Sequence, residues 1–376
     1  MTATRRQFLI GLSALTLLKS PLSFAKAPAT LNMKIFIRSP WMVNQVALTS
    51  KNQVFLGAPR YARNKSTPSL VRQEKDGSLK PFPGNQWNEW QPGKDAANAF
   101  VYLNSVHIFD DDTVWCVDQG SLNPGVFSAQ EATLQPGAQK IIRLEPDTGE
   151  IINIIRFDNT ILPPGAQMND LRLHQSVLYI SDSGVGAIII HDLQTGKTLR
   201  RLSGMAVVRA SDKKPPSILD HIKGGKSFNP PQSDLIEITQ DGKWLYWASP
   251  TGPLYRAETR FLRDESLSDA QLAAKVEKVF DNNFSGGCCM DSQGNVYFSE
   301  TARHVISVYS PSGQYRTLVE DPRLNRPDGT FISKDRKLYI PEKVPLPDDR
   351  NSWAVFVADL PGTWQGIPLG GAVASQ

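Results

Sequence analysis

An aliphatic residue followed directly by an aromatic one recurs six times along the chain, as Val54-Phe55, Val114-Trp115, Leu178-Tyr179, Leu245-Tyr246, Val296-Tyr297 and Leu338-Tyr339. The aromatic members are 60, 64, 67, 51 and 42 positions apart. Most pairs are preceded by a turn signal, such as Asp111-Asp112, Gln240-Asp241-Gly242, Ser292-Gln293-Gly294 or Lys334-Asp335, and the turn by an apolar segment. Each unit therefore reads as two strands folded back on each other. Further strands follow some of the pairs, as at 187–193 before Thr195-Gly196 and at 304–309 before Ser312-Gly313. Six units of four strands predict an all-β fold, a six-bladed β-propeller with four-stranded blades that pack on their neighbours and close into a ring.

The N-terminus is read apart from this repeat. Arg5-Arg6, an apolar run from Phe8 to Leu18 and the small residues of Ser23-Phe24-Ala25 have the layout of an export signal. Thr4-Arg5-Arg6-Gln7-Phe8-Leu9 is similar to a twin-arginine signal. The expected division is a signal peptide over 1–25, cleaved after Ala25, and a single propeller domain over 26–376, exported to the bacterial periplasm or secreted. Removing 25 of the 376 residues leaves 351 and takes away Arg5, Arg6 and Lys19, so the net charge falls from +4 to +1. A nearly neutral chain without Lys/Arg blocks predicts no nucleic-acid partner, and no later apolar run has membrane length. The expected state is a monomer whose partner is a small molecule.

The mature chain holds about 58 residues per unit, against about 40 to 50 in common blade repeats. Long inserted loops absorb the excess, over 57–98, 120–139 and 205–232. One insertion reads as helical, with a capping box at Ser268-Asp269-Ala270-Gln271 ahead of 272–280. Trp87 and Trp90 read as anchors packing a long loop onto the propeller. Cys116, Cys288 and Cys289 are too few for a disulfide framework. Core thiols are the expectation, with a bond between Cys288 and Cys289 as the alternative.

Nine to twelve residues before each aromatic anchor, where the innermost strand of a blade begins, stand Asn44, Asn104, Asn169-Asp170, Asp234, Gly286 and Asp328. Inner strands line the central channel of a propeller, so Asn44, Asn104, Asn169, Asp234 and Asp328 are expected to converge on one mouth as ligand-binding residues. Asn and Asp are also ordinary turn formers at strand ends. Carboxylates facing one another raise each other's pKa unless a cation, a proton or a ligand compensates, which favours function for a ring of them. The returning strands end in Asp118, Asp182, Ser249, Glu300 and Glu342, read as an outer polar ring on the same face. The five histidines lack zinc-ligand spacing, though His107, following Asn104 on an inner strand, could reach the channel as a base. No Walker loop, dinucleotide fingerprint or Gly-x-Ser-x-Gly elbow occurs.

Several segments resemble the yellow and major royal jelly protein family: 54–61 (VFLGAPRY), 80–83 (KPFP), 114–120 (VWCVDQG), Asn169-Asp170 with 179–183 (YISDS), Leu245-Tyr246 and 290–298 (MDSQGNVYF). The resemblance implies secreted six-bladed propellers, in some insect members binding aromatic amines in the channel and in others linked to dopachrome conversion. The chain departs from the family pattern in carrying Gly286-Gly287 where the fifth blade usually has an Asp before Gly, and in lacking the paired cysteines of insect members. A more distant resemblance is to the regucalcin and gluconolactonase propellers, which hold a divalent cation with a Glu, an Asn and an Asp. It implies a metal site at Asn169, Asp234 and Asp328 for Ca²⁺ or Mg²⁺, which oxygen ligands suit better than zinc. The first-blade Glu is unmatched, the segment there reading Val43-Asn44-Gln45.

The leading expectation is an exported propeller that binds a small polar or aromatic molecule at its channel. If it is an enzyme, the first candidate is a divalent-metal-dependent, gluconolactonase-like lactonase with Asp182 or Glu300 as the catalytic acid that activates water. A dopachrome-type tautomerase and a non-catalytic carrier or interaction protein are the alternatives.

Overall fold

The computed structural model describes residues 30–59, 67–91, 93–120, 137–216 and 230–372. The expected signal peptide, 1–25, and parts of three predicted loops lie outside the described residues. Among those described, no helix is long and apolar enough to cross a membrane.

Each of the first five blades is an antiparallel meander of four consecutive strands. Blade 1 comprises β2 (Gln45–Leu48), β3 (Val54–Gly57), β4 (Leu70–Gln73) and β5 (Leu79–Pro81), and blade 2 comprises β6 (Leu103–Ile108), β7 (Val114–Asp118), β8 (Lys140–Leu144) and β9 (Ile151–Ile155). Blade 3 holds β10 (Met168–His174), β11 (Val177–Asp182), β12 (Ala187–Asp192) and β13 (Thr198–Arg201). Blade 4 follows as β14 (Leu235–Ile238), β15 (Trp244–Ala248), β16 (Leu254–Glu258) and β17 (Glu277–Phe280), and blade 5 as β18 (Ser285–Met290), β19 (Val296–Glu300), β20 (Val305–Tyr309) and β21 (Tyr315–Glu320). Blade 6 joins β22 (Phe331–Ile332), β23 (Lys337–Pro341) and β24 (Trp353–Asp359) to β1 (Met33–Ser39), in the order β1-β24-β23-β22. The N-terminal strand thus closes the ring by pairing with the last long strand of the repeat, which leaves no gap between the first and last blades.

All six aliphatic–aromatic pairs lie on the second strand of a blade, and their aromatic rings are buried. Side chains alternate along a strand, so the ring and its aliphatic neighbour fill the packing layers on opposite faces of the blade. Phe55 belongs with Ala47, Leu103 and Val106 of the next inner strands, and Trp115 with Leu171, Leu178 and Ile180 of blade 3. Trp87 and Trp90 are buried too, Trp87 against Phe100 at 5.3 Å, so both pack their loop onto the propeller. Cys116, Cys288 and Cys289 are unbonded buried thiols.

The capping box at Ser268 is present, but the helix it opens, α2 (Asp269–Ala273), following the short α1 (Thr259–Leu262), is shorter than its sequence pattern. Residues Glu277–Phe280 pair with β16 as the outer strand of blade 4. A sheet edge offering free backbone groups overrides the helical preference of a short exposed segment.

Candidate ligand-binding site

Three inner strands carry a register shift at their first residues, between Leu103 and Ser105, Met168 and Leu171, and Ser285 and Cys288. Such bulges re-aim side chains. The bulge in β10 lets consecutive residues serve the channel: Asn169 lines the mouth, and Asp170 meets Gln45 and His107 beneath it.

Asn44, Asn104, Asn169, Asp234 and Asp328 all line one cavity of about 90 Å³ at the channel mouth. They form a directed chain from blade to blade. Asn44 donates its side-chain N–H to the Asn104 carbonyl at 2.9 Å, and Asn104 donates to the Asn169 side-chain oxygen at 2.7 Å. Asn169 hydrogen-bonds the Asp234 carboxyl. From blade 6, the Gly329 N–H donates to the Asn44 carbonyl at 3.1 Å. At the matching place blade 5 has Gly286, where a Cβ would stand 2.4 Å from the Pro327 carbonyl oxygen of the approaching sixth blade.

The outer acids lie elsewhere. Asp182 is fully buried and accepts the N–H groups of Gln167 and Gly184 at 2.8 and 2.9 Å and the Arg200 guanidinium at 2.6 Å. Glu300, equally buried, accepts from Ser307, Asn283, Tyr315 and Arg303. Asp118 pairs with Lys140, both fully buried, and Glu342 accepts the N–H groups of Asn325, Arg326 and Val344. None of the four lines the mouth. The residues immediately after them do: Gln119, Ser183, Thr301 and Lys343, with Pro250 after Ser249. Alternation of side chains along the chain explains the offset, one residue entering the protein and its successor turning to the channel.

Lys343 and Arg326 are cations of this cavity that the acid pattern alone did not reveal. The Lys343 ammonium forms an ion pair with the Asp328 carboxylate. Burial is the largest influence on Asp328 and raises its pKa, against the pull of Lys343. Burial followed by the charges of Asp170 and Asp328 pushes Asp234 well above the ordinary carboxylate range, while Lys343 and Asn169 oppose the shift. Burial opposes ionisation of Asp170 as well, but His107, Arg172 and Ser105 outweigh it and hold that carboxyl below its ordinary value. The two neighbouring carboxyls are thus shifted in opposite directions, Asp170 down and Asp234 up, which is how environment separates an acid from a base. His107 is lowered by burial and stays neutral, with Nε2 3.4 Å from the Asp170 oxygen.

The donor set does not fit a resident divalent cation. Asp328 already carries a positive partner in Lys343, and blade 1 offers the amide Asn44 in place of an acid. Among the described residues, no cluster of three His, Cys, Asp or Glu side chains is placed to hold a metal ion.

The fold and its mouth define the chain as a six-bladed propeller with an amide–carboxyl ring at one end of its channel. The family model of the major royal jelly proteins matches residues 105–334, and the chain belongs to that family. No curated protein sequence matches it. Among solved structures it is similar to a gluconolactonase from Xanthomonas campestris, with 10% identity, 89% of this chain and 95% of the other covered and a TM-score of 0.53. It is also similar to regucalcin, a calcium-binding protein from Agrobacterium tumefaciens, with 13% identity, 91% and 95% covered and a TM-score of 0.53. A luciferin-regenerating enzyme gives 10%, 90% and 99%, with a TM-score of 0.52. At these identities the likeness extends to the fold.

Proposed function

We propose that the chain binds a small polar or aromatic molecule at the amide–carboxyl mouth and catalyses a proton transfer on it, as a tautomerase of catechol-derived substrates does. The observation that carries this reading is the placement of Asp234 in the mouth cavity with Lys343 and Arg326, a buried carboxyl whose pKa is raised by burial and by the charges of Asp170 and Asp328. Asp234 gives its proton to the substrate carbonyl oxygen while the proton on the adjacent carbon leaves to solvent water, from which Asp234 is then reprotonated, and Lys343 and Arg326 stabilise the negative charge on that oxygen as the C–H bond breaks. Asn44, Asn104 and Asn169 orient the substrate through amide groups already fixed by their neighbours. Asp182 and Glu300 have their carboxylates occupied in turn and ion-pair contacts, so the proton-handling role passes from them to Asp234.

The rival reading, metal-assisted hydrolysis of a sugar-type lactone, draws on the convergence of Asn169, Asp234 and Asp328 on one cavity. A third is a non-catalytic carrier. The chain is proposed to work after export through its twin-arginine-like signal, and lysine at both Arg5 and Arg6 is expected to leave precursor in the cytoplasm. The test of function is turnover of an aminochrome and of gluconolactone by the mature protein, with and without a chelator. Chelator-resistant aminochrome isomerisation that falls about 10²-fold or more in Asp234→Asn supports the proposal. Lactone hydrolysis abolished by the chelator replaces it with the metal reading, and binding without turnover of either substrate replaces it with the carrier.

A further inference from the structure

One polar group of the mouth stays outside the amide–carboxyl ring. Gln167 lines the same cavity as Asn169 and Asp234 and is 4% exposed, and its side-chain Nε2 has no hydrogen-bond partner among the described residues. A buried amide N–H without a partner is costly, and few such groups survive in a folded protein unless they serve something.

The chain around this donor is fixed. Gln139 straddles it, its Nε2 donating to the Ala166 carbonyl at 2.9 Å and its Oε1 accepting the Met168 N–H at 3.4 Å. The Ser183 N–H donates to the Gln167 carbonyl at 2.9 Å. Met168, between Gln167 and Asn169, is fully buried in the core shared by blades 2 and 3. Alternation along the strand then turns Gln167 and Asn169 together to the mouth. Backbone held on both sides and a side-chain donor without a partner make a preorganised point of recognition.

Three observations set the ligand class. The cavity measures about 90 Å³, and a single water needs about 10 to 15 Å³, so there is room for one small ring. The lining balances Asp234 and Asp328 against Lys343 and Arg326, which favours neither sign of charge. Residues two apart on a strand lie about 6 to 7 Å apart, so Gln167 stands about that far along the wall from Asn169, whose side chain bonds the Asp234 carboxyl. We propose that Gln167 is a specificity-determining residue of the mouth, donating to a second acceptor oxygen on a small neutral ring whose first oxygen faces Asp234. This rests on the reading of the mouth as a substrate site and adds a second point of recognition to it.

Two probes separate one oxygen from two: cyclohexanone, and cyclohexane-1,4-dione with oxygens at opposite ends of the same ring. Each is titrated into the ¹⁵N-labelled mature protein, where backbone shifts give affinity and side-chain amide shifts report contact. Gln167→Met, similar in length and without the amide, identifies the Gln167 resonance. The dione is expected to move that resonance saturably and to bind about five- to tenfold more tightly than cyclohexanone. In Gln167→Met the preference should fall to about twofold, the statistical factor of a symmetric ligand. The variant should also melt no lower than the parent, because it removes an unpaired buried donor. Gln167→Ala serves for the loss of preference if Gln167→Met does not fold. Equal binding of the two ketones, a Gln167 resonance unmoved at saturation, or a variant that keeps the preference overturns the proposal, and a lowered melting temperature with the preference kept assigns the amide to the fold. Binding of neither ketone by a protein that isomerises an aminochrome overturns this inference alone. Absence of both ketone binding and isomerisation removes the reading of the mouth, and this inference with it.

Discussion

Lys343 and Asp328 form an ion pair at the polar mouth, joining the segment that follows the second strand of blade 6 to the segment that leads into its first. Both side chains are largely buried, at 13% and 11% exposure. Removing one partner of such a pair leaves an uncompensated charge, which costs more than the pair contributes when intact. Lys343→Met is expected to destabilise the protein by about 2 to 4 kcal/mol near pH 8. The loss should shrink towards pH 5, because an Asp328 carboxyl already raised by burial takes up a proton once its counter-charge is gone. Urea denaturation of both proteins at the two pH values measures this, and an equal loss at both would show that the pair acts through packing alone.

Asp234 gives a pH dependence of definite sign. Its folded carboxyl lies well above the ordinary value of 3.8, so the folded state binds more protons than the unfolded one once pH passes that value. The contribution to stability is complete below the unfolded pKa and is lost as pH rises through the folded one. Asp234→Asn, which keeps shape and removes the titration, is expected to flatten the fall in stability as pH rises above the ordinary carboxylate value. Parallel stability curves for the two proteins would place the titration on another group.

The repeat and its closure into six blades were legible because each blade must bury an aromatic residue on its second strand, a need that Val114-Trp115 or Leu178-Tyr179 writes directly into the sequence. The five mouth residues were legible for the same reason, since the start of each inner strand sits at a near-constant distance from that anchor. What the anchor could not locate was the direction of side chains one residue either way. Asp182 and Ser183 are adjacent, yet only Ser183 faces the cavity. Lys343 and Arg326 stand outside the repeat of inner-strand amides and acids, although a buried ring of acids calls for cations among its neighbours. The end of α2 was missed because the free edge of blade 4 was a tertiary fact.

Asp182 separates a turn-holding role from a catalytic one. Its carboxylate is spent on two backbone N–H groups and on Arg200, whose guanidinium is only 7% exposed. Asp182→Ala is expected to cost about 3 to 5 kcal/mol by stranding that guanidinium. Affinity of the folded protein for any ligand of the polar mouth should stay unchanged. Calorimetric titration below the lowered melting temperature checks both halves, and weakened binding with intact stability would return Asp182 to the site.

Arg172 and Glu237 cross from blade 3 to blade 4 inside the channel with side chains 11% and 6% exposed. Burial raises the Glu237 pKa even with the guanidinium against it, which shows how costly this location is for charge. Such a pair is weak evidence for net stability, yet breaking it is expensive. Arg172→Met and Glu237→Leu should therefore each lose about 3 to 5 kcal/mol, since each leaves the other charge buried and unpaired. The Arg172 deletion also removes a positive neighbour of Asp170, so it should be the more harmful of the two. The double variant replaces two charges by apolar side chains, so its loss should be no larger than either single loss, giving a coupling of at least about 3 kcal/mol in a double-mutant cycle. Denaturant midpoints of the four proteins measure it. Additive losses would mean that Arg172 and Glu237 are stabilised separately, Arg172 by Asp170 and the Leu171 carbonyl, and that the bidentate contact contributes nothing of its own.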